Sequence, residues 1–225
     1  MPNYKTLLII PTLNEIDGVK AIMPQIKRNW CDEIIIIDGG STDGTMEWLH
    51  KNNWNVLLQE KRGLGNAYRQ VLASYTGDII LTFSPDGNSL PEKIPALVAE
   101  MKKDYDLVIV SRYLDEASSE DDDALTALGN KIFTHLINLC FGGNYTDTLV
   151  IFRGYKRNIL EQLNIDAEQM TYEAQISMRA AKAKLHIGEI PGSEPKRIGG
   201  ERKMNPFPTG FAILKEIVRS ILWQK

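Results

Sequence analysis

The chain has 225 residues, 43% hydrophobic and 24% charged, which is enough apolar material to bury a full core in one domain. Its 26 basic and 29 acidic residues leave a formal charge of −3, without the basic surplus expected of a nucleic-acid binder. Cys31 and Cys140, far apart, suit a reducing compartment rather than a disulfide scaffold, and no apolar run reaches the roughly 18 residues that a membrane span needs.

In chain order, residues 5–11 read as a strand and 15–29 as a helix with Val19, Ile22, Met23 and Ile26 inward. Strand 33–38, helix 45–52, short strand 55–59, helix 64–75, strand 78–84, helix 91–102 and strand 106–111 follow. Strands alternating with helices imply crossover units, hence an α/β fold around a largely parallel sheet. The polar stretch Ser118-Ser119-Glu120-Asp121-Asp122-Asp123 has nothing to bury and reads as a mobile surface loop. Its last Asp can cap a helix over 124–141. A helix over 166–182, a strand over 185–190, an ordered binding loop or lid over 194–208 and a helical apolar stripe over 209–223 complete the chain.

Three loops follow apolar strands, and in open α/β sheets such loops form the ligand crevice. They are Pro11-Thr12-Leu13-Asn14-Glu15, Asp38-Gly39-Gly40-Ser41-Thr42-Asp43-Gly44-Thr45 and Ser84-Pro85-Asp86-Gly87-Asn88. The first also suits simple helix capping. In the second, the glycines let backbone approach a ligand, and Asp38 can accept from a ribose hydroxyl or a base N–H. Asp43 can do the same or cap the next helix. In the third, Asp86, Asn88 and Ser84 are oxygen donors of the kind hard divalent cations take, although the same residues make an ordinary turn.

Lys61-Arg62-Gly63-Leu64-Gly65-Asn66-Ala67 is not a dinucleotide fingerprint, since Tyr68 stands where a third glycine belongs. It still suits a phosphate or sugar hydroxyl at a helix start. Further cations, Arg112, Lys196, Arg197, Arg202 and Lys203, offer phosphate grips or a plain solvated face. His50, His135 and His186 show no metal-ligand spacing.

Taken in order, these stretches resemble family 2 glycosyltransferases with the GT-A fold, in the branch of dolichol- and polyprenyl-phosphate mannose synthases. The resemblance adds Pro91-Glu92, Ser111-Arg112-Tyr113, Asp147 upstream of Phe152-Arg153, and Arg197-Ile198-Gly199-Gly200-Glu201-Arg202-Lys203, and it covers nearly the whole chain. It implies a Rossmann-like α/β/α sandwich with a mostly parallel central sheet, as a single domain over 1–225. Within it, 1–115 is the nucleotide-sugar half, 116–208 the acceptor side and 209–225 an amphipathic helix.

The implied activity is inverting transfer of a sugar from a GDP- or UDP-linked donor to a phosphate- or hydroxyl-bearing acceptor such as a polyprenyl phosphate, assisted by Mg²⁺ or Mn²⁺. By analogy Pro11, Glu15 and Asp38 hold the nucleoside. The implied nucleotide-sugar site comprises Pro11, Thr12, Leu13, Glu15, Asp38, Gly40, Asp43, Gly63, Gly65, Asn66, Ser84, Pro85 and Asp86. Asp86 with Asn88 binds the metal, and Arg112, Arg197 and Lys203 sit near the donor diphosphate or an acceptor phosphate. A phosphate acceptor is already ionised at neutral pH. A hydroxyl must lose its proton to a carboxylate, with Asp147 and Glu173 the candidates.

Two departures matter. Ser84 stands where the family has the first Asp of Asp-x-Asp, which implies weaker or more substrate-dependent metal binding, and Arg202 replaces a serine. Both raise the local positive balance, so mannose and dolichol phosphate are not carried over as substrates. A non-catalytic sugar-nucleotide binder and a sugar nucleotidyltransferase remain as alternatives. The latter usually has a Gly-rich, cationic loop after the first strand, where Pro-Thr-Leu-Asn-Glu stands here. The first strand begins close to Met1, so no secretory leader and a cytoplasmic location are expected. The apolar tail residues, interspersed with Lys215, Arg219 and Lys225, suit a helix at the inner membrane face or one packed on the core or in a homodimer.

Overall fold

The computed structural model describes residues 4–200 and 204–224. Its strands are β1 (Thr6–Thr12), β2 (Glu33–Asp38), β3 (Val56–Leu58), β4 (Ile79–Thr82), β5 (Leu107–Ser111), β6 (Arg153–Lys156) and β7 (Ile187–Pro191). Its helices are α1 (Ile16–Ile22), α2 (Thr45–Lys51), α3 (Leu64–Ser74), α4 (Ile94–Met101), α5 (Ala124–Phe141), α6 (Asn158–Gln162), α7 (Tyr172–Lys182) and α8 (Pro206–Leu222).

The strands form one seven-stranded sheet in the order β3-β2-β1-β4-β6-β5-β7. Only β6 runs against its neighbours, β4 and β5; all other pairs are parallel. Continuous apolar runs suit strands buried on both faces. Leu7, Ile9, Ile35 and Ile37 pack towards α3, α5, α7 and α8. Their alternates Leu8, Ile10, Ile36 and Leu81 pack with α1, α2 and α4. The result is a three-layered α/β/α sandwich.

Several elements differ from the sequence expectation. The helix expected over 15–29 stops at Ile22 and continues as short 3₁₀ turns at Met23–Gln25 and Arg28–Trp30, because Pro24 lacks the donor a longer α-helix needs. The helix expected from 166 starts at Tyr172, because Gln175 Oε1 accepts the Asp166 and Ala167 N–H groups at 2.9 and 3.0 Å and holds that segment as a loop. β6 and α6 were not foreseen: Arg-Gly-Tyr-Lys has no apolar run, and its burial comes from the strands and helices around it. The tail helix begins at Pro206, with Asn205 as its cap, consistent with proline's preference for the first helical turn.

Since six strands share one direction, the loops after β1, β2, β4, β5 and β7 emerge along a common edge. Residues far apart in sequence therefore meet there.

Candidate active site

A cavity of about 730 Å³ runs along that edge. On the β1–β2 side it is lined by Pro11, Thr12, Leu13, Glu15, Gly40, Gln59 and Gly63, and over the sheet centre by Ser84, Asp86, Asn88 and Arg112. It continues into an apolar arm between α5 and α8, bordered by Leu125, Gly129, Phe133, Met170, Pro206, Gly210 and Ile213.

The first two loops brace each other. Asp38, fully buried, accepts the Gly40 and Ser41 N–H groups at 2.9 and 2.7 Å and the Thr12 and Ser41 hydroxyls at 2.8 and 2.7 Å. These bonds shape the loop that presents Gly40 to the cavity. Asp43 likewise accepts Ile16 N–H at 3.0 Å and the Thr45 N–H and hydroxyl at 3.0 and 2.6 Å. Burial pulls its pKa up, but these hydrogen bonds outweigh burial and hold it below the ordinary carboxylate value. Neither aspartate lines the cavity; both brace the loops that do.

Gly65 and Asn66 are also set aside from the cavity: a Cβ on Gly65 would lie 2.0 Å from the Ala167 carbonyl oxygen, so this glycine serves close packing. Gly63 does line it. Pro85 sits in the third loop without lining the cavity, whereas its neighbours Ser84 and Asp86 do.

Asp86 is 4% exposed, and its Oδ1 accepts Asn88 N–H at 3.2 Å. No group of three His, Cys, Asp or Glu able to hold a metal occurs among the described residues. One carboxylate, one amide and one hydroxyl are hard oxygen donors. They fit a divalent cation that takes its remaining ligands from a bound phosphate and water, not a closed protein cage.

Arg197 reaches into the same place. Its Nη2 donates to Asp86 Oδ2 at 2.6 Å and its Nη1 to Glu15 Oε1 at 3.0 Å. The strap that carries it is tied down: Arg197 N–H donates to Asp121 at 3.1 Å and Ile198 N–H to the Asp86 carbonyl at 2.7 Å. Gly87, at φ +90°, makes room for this, because a Cβ there would lie 2.5 Å from Ile198 Cγ1. Lys203 and Arg202 lie outside the described residues.

Arg112, at the end of β5, lines the cavity and is clamped by Asp147, with Nε to Oδ2 at 2.6 Å and Nη2 to Oδ1 at 3.1 Å. Its Nη1 faces Glu194 at 3.3 Å and Asp122 at 3.6 Å. Asp147 is fully buried and does not line the cavity. Burial raises its pKa, but the adjacent guanidinium more than offsets this and keeps it ionised. It is a positioning residue for Arg112, which corrects its candidacy as an acceptor base. Glu173 is likewise removed: it lies fully buried within α7, its carboxyl 3.1 Å from the Arg153 guanidinium and off the cavity.

Sequence reasoning missed Asp121, Asp122 and Glu194, all of which line the cavity. Far from being a mobile surface loop, 118–123 is laid against the site. Asp122 accepts the Tyr113 hydroxyl at 2.5 Å and Asn130 Nδ2 at 2.9 Å, Ser119 bonds Glu194, and Asp123 caps α5 through Thr126 N–H at 2.7 Å. Glu194 follows β7 as Arg112 follows β5, so strand-end position was the available clue. Burial pushes its carboxyl above the ordinary value, with Arg112 offsetting part of the rise.

The glycosyl transferase family 2 model matches residues 7–163, from β1 through the end of α6. A dolichyl-phosphate hexose transferase of Haloferax volcanii is 28% identical over 97% of this chain and 94% of its own length. An undecaprenyl-phosphate 4-deoxy-4-formamido-L-arabinose transferase of Pseudomonas fluorescens is 26% identical over 92% of this chain and 62% of its own length. Among solved structures, glucosyl-3-phosphoglycerate synthase of Mycobacterium tuberculosis, in complex with Mn²⁺, UDP and phosphoglyceric acid, superposes with a TM-score of 0.78 at 17% identity, covering 99% of this chain and 80% of that one. The matched span includes all three strand-end loops and Arg112 with its clamp, and the chain belongs to glycosyl transferase family 2, with the GT-A fold.

Proposed function

We propose that this glycosyltransferase moves a sugar, with inversion, from a UDP- or GDP-linked donor to a lipid phosphate of the polyprenyl type. The observation that carries this reading is one continuous cavity, polar where it passes Glu15, Asp86, Arg112 and Arg197 and apolar where it leaves between α5 and α8. Residues 1–115 supply the nucleotide side, and the chain from 116 onward supplies the acceptor side. The relatives named for dolichyl and undecaprenyl phosphate, and the UDP and Mn²⁺ in the structural neighbour's complex, support the same reading.

Asp86, Asn88 and Ser84 would hold Mg²⁺ or Mn²⁺ together with the donor diphosphate, and a divalent cation there supplies charge neutralisation of the leaving group. The chain's own contribution is fixed positive charge. As the bond from the anomeric carbon to the diphosphate breaks, its electron pair stays on the diphosphate. Arg112, immobilised by Asp147, is placed to stabilise that charge without reorganising, and Arg197 supplies a second cation in the same cavity. The acceptor phosphate oxygen forms the new bond from the opposite face and needs no proton removed. In keeping with this, Glu194 and Asp122 are engaged by Arg112, Ser119, Tyr113 and Asn130 rather than standing ready as bases.

The outer faces of both flanking helices fit a lipid surface. α8 exposes Phe207, Phe211, Val218 and Leu222, and α5 exposes Leu125, Leu128 and Leu139. Lys131, His135 and Lys215 also face outward, with no acidic residue exposed on either helix. No helix among the described residues is long and apolar enough to cross a membrane. Peripheral contact with an anionic membrane face is the arrangement this supports, with a homodimer through the same faces as the competing outcome.

Incubation of the chain with UDP- and GDP-sugar panels, Mn²⁺ and vesicles bearing polyprenyl phosphate should release nucleotide and form a glycosylated lipid. Asp86→Ala should cut turnover by about 10²–10³-fold, the usual cost of losing one stabiliser of developing charge. Tight donor binding with no turnover on any acceptor would instead identify a sugar-nucleotide sensor.

A further inference from the structure

Arg197 occupies the position from which a cation would serve Asp86. Its two terminal nitrogens bridge Asp86, after β4, and Glu15, after β1, at 2.6 and 3.0 Å. Both carboxylates are more than nine-tenths buried, so neither is stable without a positive partner. The guanidinium is itself incompletely satisfied, since its Nε is buried with no hydrogen-bond partner among the described residues. A guanidinium with an idle donor beside a polar cavity is suited to receive an incoming anion.

We propose that Arg197 is a built-in counter-cation for Asp86, so that a divalent metal binds well only together with a diphosphate. A metal ion bonded to Asp86 Oδ2 would stand within a few ångströms of the guanidinium, and the two like charges cannot share that oxygen. Metal alone must therefore expel Arg197 from Asp86 and cost it that charged acceptor. A diphosphate removes that cost by accepting the displaced fork. Ser84, a neutral donor where a second carboxylate would have favoured the metal, tilts the balance further towards Arg197. Because Ile198 N–H is bonded to the Asp86 carbonyl, displacement of Arg197 also loosens the strap over the site. This rests on the nucleotide-sugar reading above only for the identity of the diphosphate.

The test measures free Mn²⁺ by electron paramagnetic resonance during titration of the full chain, with and without UDP or GDP. Arg197→Gln should bind Mn²⁺ alone at least about fivefold more tightly than wild type and lose most of the mutual enhancement between metal and nucleotide, a coupling of ordinary size. Arg62→Gln removes a cation lining the same cavity without touching Asp86 and should change Mn²⁺ affinity less than about twofold, the weak effect of a screened charge at a distance. In wild type, hydrogen exchange at Ile198 should stay slow with Mn²⁺ alone and become fast with Mn²⁺ plus nucleotide. Equal Mn²⁺ affinity in wild type and a folded Arg197→Gln, or an equal gain from Arg62→Gln, overturns the proposal even where nucleotide binds. Failure of every nucleotide to bind while Arg197→Gln still tightens Mn²⁺ sinks the substrate reading and leaves the counter-cation in place.

Discussion

Gly129 shows how a single residue records a site that packing alone does not explain. It sits inside α5, where glycine is less favourable than alanine or leucine, and a Cβ built on it would meet nothing within 4 Å. It lines the apolar arm, so on the proposed function the space it leaves is where an acceptor chain would lie. Gly129→Leu should therefore stabilise the fold by about 0.5–1 kcal/mol through helix propensity, measured by denaturant unfolding. The same change should raise KM for a long-chain acceptor several-fold while nucleotide affinity stays constant. At this scale the sequence was informative about which loops line the cavity and silent about which atoms brace them. Asp38 and Asp43 carry the expected residue type in the expected loops, yet their oxygens are consumed by neighbouring N–H and hydroxyl groups. Asp122 was invisible as a site residue because an acidic stretch looks the same in sequence whether it faces water or a buried arginine.

Helix α8 combines two roles that its apolar stripe could not separate. Its inner side packs Ile213 and Ile217 into the core, and its buried Glu216 pairs with Arg179 at 3.5 Å and accepts from Gln175 at 2.7 Å. These contacts anchor it to α7, while Phe207, Phe211 and Leu222 remain 78%, 72% and 75% exposed, more than a core helix explains. Phe211→Ser with Leu222→Ser should abolish most flotation on anionic vesicles. Because both side chains are exposed, the melting temperature should move by no more than about 2 °C. Unchanged flotation would remove the membrane role and leave these faces to self-association, which sedimentation of the same variants reads directly.

On the scale of the whole molecule, the sheet carries a polar centre on the side of α7. Arg153 and Glu173 are both fully buried there, and among the described residues neither the Glu173 carboxyl oxygens nor the nearby Tyr68 and Tyr155 hydroxyls have a hydrogen bond of good geometry. Burial pushes the Glu173 carboxyl up to about 7, and the nearby Arg153 guanidinium only partly restrains it. The folded state thus holds a proton that the unfolded chain releases near its ordinary value of 4.5. Stability from this group is complete below about pH 4.5, declines as pH rises, and is lost above about 7, since the state that binds more protons is favoured at low pH. Comparing urea unfolding of wild type and Glu173→Gln from pH 5 to 8 should show wild type losing ground to the variant as pH increases. A parallel pH course for the two would refute it.

The sequence by itself determined the alternation of buried strands and amphipathic helices, the loops that reach the ligand edge and the family to which they belong, because apolar periodicity and turn chemistry are local properties. Only the tertiary structure decided the antiparallel β6, whose Arg-Gly-Tyr-Lys is buried by its neighbours rather than by its own character. It also decided that Asp147 braces Arg112, that Glu194 faces it, and that Arg197 crosses 111 residues of chain to sit on Asp86. Such pairings depend on which strand ends the sheet order brings together, and in a buried, low-dielectric site it is the identity of the partner that sets what each charge can do.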